Sequence, residues 1–168
     1  MNEQLERLAV EIHLNHPDQE NLRLTFAYAC ADRVRHLLEE PDVIGCLDTL
    51  GEYLKGEIDD VALGCAANKA ASLANHHQGS MSIDGCGHAA VSASYAVANA
   101  LKGKALQSAS YAAYALVYAS GGYAALAERD SFRSEFNWQS DTLKVLAGDS
   151  LLACCSGRFG SAKNSSDV

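Results

Sequence analysis

The sequence has no excess of basic residues: 13 Lys and Arg stand against 21 Asp and Glu in 168 residues, a net charge of −8. Direct nucleic-acid binding, which needs a clustered basic patch to displace phosphate counterions, is therefore not expected. A membrane span is not expected either. The one stretch that is apolar by count, residues 105–127, is interrupted by Ser108, Ser110, Ser120 and Gly121-Gly122. A span needs roughly 18 or more consecutive apolar residues, and this stretch is mostly Ala and Tyr, so it reads as a buried helix. The start, MNEQLERLAV, carries acids and a helical pattern instead of a basic region and an apolar core, so a secretory signal is not expected and the reading is cytoplasmic. The motifs of common catalytic machinery are missing too. There is no G-x-S-x-G, no phosphate-cradling glycine loop and no C-x-x-C. The reading is of a protein that is not an enzyme and uses no cofactor.

What the chain has in abundance is alanine: 21 of the 67 positions between 61 and 127. Ala89, Ala93, Ala96 and Ala100 recur at three- and four-residue spacing, and Ala105, Ala109, Ala112 and Leu116 repeat that stripe after Lys102-Gly103-Lys104. Alanine is the strongest helix former and Gly103 a natural break, so the pattern predicts a helical hairpin whose backbones approach closely. Tyr111, Tyr114 and Tyr118 fall on a neighbouring stripe, with Tyr123 beyond, and are expected to pack with their hydroxyls reaching water. No fixed-period repeat marks a solenoid.

Four further helices are expected ahead of the hairpin. The first covers Glu3 to Leu14, stopped by His16-Pro17-Asp18; the second covers about Gln19 to Glu39, stopped by Pro41-Asp42. The third covers about Val43 to Lys55, closed by Gly56. The fourth starts near the acids Asp59-Asp60 and runs to about Asn75, with Val61, Ala62, Cys65, Ala66, Ala70 and Leu73 inward. Residues Asn75 to Gly87 read as a loop, and Gly121-Gly122 as a close helix crossing or a kink. A short helix from about Gln139 to Leu146 follows Phe132, Phe136 and Trp138. The fold class is all-α: a compact bundle of six or seven helices around an Ala-rich central hairpin, one domain over residues 1–155 and a disordered tail over 156–168.

Six cysteines, Cys30, Cys46, Cys65, Cys86, Cys154 and Cys155, sit mostly in apolar or Ala-rich segments and are expected as buried free thiols. His76, His77, Cys86 and His88 form a candidate metal set, since Cys and His are good zinc ligands. Their spacing matches no diagnostic pattern, so solvated loop histidines and a packed cysteine are the preferred reading, with a metal- or small-ligand-binding bundle as an alternative. Charge placement is more informative. Residues 1–60 hold 14 acids against 5 bases, a balance of −9, while residues 61–168 hold 7 against 8. An acidic third of this kind suits a basic protein partner, and equally a solvated helix surface.

Motif order adds a resemblance. The segment Cys30 to Glu39 (CADRVRHLLE), a helix ending Leu54-Lys55-Gly56-Glu57-Ile58, then Gly87-His88-Ala89, Tyr95-Ala96 and a closing Trp138-Gln139 resemble the five-like immunity family over roughly residues 25–146. Membership would imply an Ala-rich helical protein that neutralises a partner toxin. A phage-encoded inhibitor of a host defence complex would share the same compact acidic character. No contact residues carry over from the family. Charge asymmetry instead nominates Glu39, Glu40, Asp42, Asp48, Glu52, Asp59 and Asp60 as the partner-binding set.

Overall fold

The computed structural model describes residues 2–77 and 86–157, with side chains for 2–77 and 87–148. Among the described residues there is no strand, and seven α-helices follow one another: α1 (Glu3–Glu11), α2 (Glu20–Arg33), α3 (Pro41–Leu54), α4 (Asp60–His76), α5 (Cys86–Leu101), α6 (Ala105–Leu126) and α7 (Arg133–Gly157). Single 3-10 turns lie at Pro17–Gln19, Arg35–Leu37 and Arg129–Phe132.

The expected hairpin is the centre of the bundle, and α5 and α6 share the most extensive contact of any helix pair. Ala89, Ala93, Ala96 and Ala100 on α5 and Ala105, Ala109 and Ala112 on α6 are all buried. Gly103 turns the chain between them with φ 65°, while Lys104 N–H donates to Asn99 O and Gly103 N–H to Ala100 O, each at 2.9 Å. That pair of bonds closes a helix C-terminus around a left-handed residue, which glycine adopts without a Cβ clash. Ser108 ties the seam to a third helix. It is fully buried, and its hydroxyl lies 2.9 Å from Ala96 O on α5 and 3.3 Å from Ala27 O on α2.

Helix α2 packs against α3, α5, α6 and α7. Leu22, Leu24, Phe26, Ala27, Cys30 and Ala31 are therefore buried on more than one face, and no single apolar stripe marks it. It also ends sooner than its periodicity suggests, at Arg33, where the chain tightens into the 3-10 turn instead of continuing to Glu39. Pro41 does not precede α3 but occupies its first turn, where a missing N–H costs nothing. On α4, Asp59 caps the start by accepting from Ala62 N–H at 2.9 Å. Its buried residues are Ala66, Ala67, Ala70 and Ala74. Val61, expected inward, is 73% exposed, and Cys65 is exposed as well, because the stripe facing α3 and α5 begins a turn later.

Two further ends differ from expectation for identifiable reasons, and the glycine pair of α6 takes one of its two expected forms. Helix α1 stops at Glu11, not Leu14: His13 takes φ 52°, His13 N–H donates to Val10 O and Leu14 N–H to Ala9 O, and Leu14 is buried beyond the turn. The bond pattern is that of Gly103, with histidine where glycine is usual. Gly122 breaks α6 with φ 58° and ψ −146°, a conformation open essentially to glycine alone, and so marks a kink. Helix α7 begins at Arg133, well before Gln139, because its first turns bury Glu135, Gln139 and Ser140, polar residues that interrupt an apolar pattern. It continues through Gly157, so the first two residues of the expected tail are helical, and 158–168 lie outside the described residues, as do 78–85 of the expected Asn75–Gly87 loop.

Close approach at the seam yields a test. Ala96→Leu, which adds three carbons where α5 meets α6 and α2, should lower stability by about 1–3 kcal/mol, while Gln107→Leu on the exposed side of α6 should stay within about 0.5 kcal/mol. Denaturant midpoints of the two variants measure this.

Candidate interaction surfaces and the polar hub that positions them

The seven nominated acids do not form one cluster. Asp42 pairs with Lys69 of α4 at 2.8 Å, and Asp48 pairs with Arg35, on the other side of α3, at 2.7 Å. Asp59 is the cap of α4, and Asp60 accepts from the Tyr53 hydroxyl at 2.7 Å. Glu39 and Glu40 lie in the turn before α3, where Glu40 occupies the cap position without a side-chain bond. Glu52 is exposed one turn beyond Asp48.

Packing assembles a different group along the outer edge of α2 and α3. Arg35 lies between two carboxylates, 3.6 Å from Asp32 and 2.7 Å from Asp48. Tyr28 lies beside them, its ring over Gly51: a Cβ there would stand 3.2 Å from the Tyr28 hydroxyl oxygen. Burial, the Asp32 charge and the Asp48 charge raise the Tyr28 hydroxyl above its ordinary pKa, against the lowering pull of Arg35. Farther along α3, Tyr53 is raised by its bond to Asp60 and by burial, with Glu20 on α2 adding to the effect. The seam thus carries Glu20, Asp32, Asp48 and Asp60 beside two half-buried tyrosines, with Glu52 exposed one turn from Asp48. Glu20, Asp32, Tyr28 and Tyr53 were not among the nominated residues. The available signal was the i,i+4 spacing of Tyr28 and Asp32, which places them on one side of α2.

Behind α2, a buried polar hub fixes four helices relative to one another. Arg33 Nε on α2 donates to Glu135 Oε2 on α7 at 2.6 Å, with the guanidinium 4.2 Å from the Trp138 ring centroid. Gln139 Nε2 donates to Glu135 Oε1 at 3.2 Å and to Ala109 O on α6 at 2.8 Å. Asn2 closes the network: its Nδ2 donates to Gln139 Oε1 and Phe136 O, while its Oδ1 accepts from Leu5 N–H and so caps α1. Glu135 has 5% of its side chain exposed, and burial pushes its carboxyl above the ordinary range, partly offset by Arg33 and Gln139. Nearby Cys30 is a fully buried free thiol, raised well above its usual pKa by burial and then by Glu135.

The candidate metal set is divided between elements. The His76 ring lies 2.7 Å from Ser72 O of its own helix, while His88 stacks on Tyr118 and meets the edge and hydroxyl of Tyr123, on α6. His77 is half-buried at the end of α4, and the side chain of Cys86 lies outside the described set. Among the described residues no group of three metal-ligating side chains converges. Of the cysteines, Cys30 and Cys46 are buried as expected and Cys65 is not, while Cys154 and Cys155 lack described side chains. The tyrosine row packs by ring contact, Tyr111 on Tyr95 and Tyr114 on Phe132, with Tyr111 37% and Tyr114 40% exposed. None of the described helices is long and apolar enough to cross a membrane.

No family model, curated protein or solved structure matches this chain.

The hub makes stability depend on pH with a definite sign. A carboxyl raised in the folded state binds its proton more tightly there than in the unfolded chain, so its effect on stability turns unfavourable as pH rises from its ordinary value near 4.5. Arg33→Met removes the group that opposes this rise. The variant should lose about 2–3 kcal/mol at pH 7, the low side of the range for a broken buried pair because Arg33 is one-third exposed, and much less at pH 4. Adding Glu135→Gln to Arg33→Met should flatten that pH dependence, as measured by denaturant unfolding at both pH values.

Proposed function

We propose that this chain is a binding protein that neutralises a basic partner protein by covering part of its surface. The observation that carries the reading is the α2–α3 seam, where four carboxylates, Glu20, Asp32, Asp48 and Asp60, lie beside Tyr28 and Tyr53 with Arg35 among them. Tyrosine supplies large, rigid contact area at low entropic cost, and tyrosines are over-represented among the few residues that dominate interface energetics. The surrounding charge speeds encounter with a basic surface and disfavours acidic competitors. Of the nominated acids, Asp48, Glu52 and Asp60 belong to this contact. Glu39, Glu40, Asp42 and Asp59 lie at its margins and contribute long-range attraction.

A toxin is the partner class that the motif resemblance to five-like immunity proteins implies, and occlusion is the mode of inhibition consistent with it. The seam sits on helices fixed from behind by the hub and the alanine pairing, so little ordering free energy is lost on binding.

The test is capture of the partner from lysate of the source cell on immobilised chain, followed by elution along a salt gradient. A basic protein should be retained, and the quadruple variant Glu20→Lys, Asp32→Lys, Asp48→Lys, Glu52→Lys should lose at least about tenfold in affinity, with unfolding midpoints confirming the fold. Tyr28→Ala should weaken binding by about 2 kcal/mol with less change in its salt dependence. Retention and salt dependence unchanged in the quadruple variant would refute the assignment.

A further inference from the structure

Helices α1, α6 and α7 hold a feature that the seam does not use. The starts of α1 and α7, the far part of α6 and the 3-10 turn before α7 enclose a cleft of about 560 Å³. That size lies within the usual range for small-molecule sites, roughly 300–1,000 Å³. One wall is aromatic: the rings of Tyr114 and Phe132 meet edge to face at 5.4 Å, and Phe132 continues to Phe136 at 5.4 Å. Ser110 and Ala113 of α6 also line it, small side chains that leave the space open.

Arg129 and Arg133 both line the cleft. Arg133 donates to Asp130 at 2.5 Å, so that carboxylate is already matched, whereas Arg129 makes no ion pair with any described residue. Gln4 of α1 and Asn137, one turn beyond Arg133 on α7, also line it as exposed amides. The first turns of α1 and α7 both border the space and add the partial positive charge of helix N-termini, although Glu3 at the start of α1 offsets some of it. An aromatic wall, an uncommitted guanidinium and free amides suit a ligand with a flat π-face, an anionic group, and polar edge atoms for the amides.

We propose that this cleft binds a planar, anion-bearing small molecule, a mononucleotide or an aryl carboxylate in chemical class, with the ring against Tyr114 and Phe132 and the anionic group on Arg129. The site is independent of the partner-binding seam and stands or falls without it.

Titration calorimetry on the full chain, with adenosine monophosphate, indole-3-acetate, adenosine and inorganic phosphate as separate probes, tests it. At least one of the two aromatic anions should bind with Kd below about 1 mM, and whichever binds identifies the source of the anion. Adenosine and phosphate, each carrying half of the recognised chemistry, should bind at least about tenfold more weakly. Arg129→Ala and Tyr114→Ala, both at exposed positions, should each cost about tenfold, with helical circular dichroism unchanged. Absence of binding by both aromatic anions, phosphate binding as tightly as they do, or full affinity retained in Arg129→Ala would overturn the proposal.

Discussion

The structure depends on how closely α5 and α6 approach. Alanine side chains bury little area each, so the pairing is favourable because two backbones come near enough for many dispersion contacts. That closeness leaves space at the seam only for small residues, and the large ones are displaced to its flanks. Tyr95, Tyr111, Tyr114 and Tyr118 accordingly form ring contacts along the outside of the hairpin. It also brings α2 against both helices at once, where the Ser108 hydroxyl reaches carbonyls on two neighbours.

A second constraint sets the remaining helices against this core. A buried ion pair gains little net stability over apolar packing, since both charges lose their hydration. The network of Arg33, Glu135, Gln139 and Asn2 has a directional role instead: in this arrangement of α1, α2, α6 and α7 none of its buried polar atoms is left without a partner. Sliding α7 by one residue would move Glu135 away from Arg33 and Gln139 away from Ala109 O. The hub therefore fixes both exposed sites, the acid and tyrosine seam on α2 and α3 and the cleft at the starts of α1 and α7.

Those sites differ in chemistry because the charge of the chain is unevenly distributed. The first sixty residues supply the carboxylates of the seam, whereas Arg129 and Arg133, near the other end, supply the cations of the cleft. One surface is rich in carboxylates and the other carries the guanidinium of Arg129, and different helices supply the two.

The sequence by itself determined the helical class, the alanine pairing, the turn at Gly103 and the start of α4 near Asp59-Asp60, because each rests on local spacing or on the preference of one or two residues. It also determined that the acidity lies in the first third. Tertiary structure decided the rest: the end of α1 at a histidine in a glycine-like conformation, the early start of α7, the outward placement of Val61 and Cys65, and which acids gather around Tyr28 and Tyr53. The reason is common to these cases. Periodicity records whether a side chain is apolar, while burial of Glu135 and Gln139, or exposure of Val61, depends on partners more than a hundred residues away or on neighbouring helices whose placement no local pattern encodes.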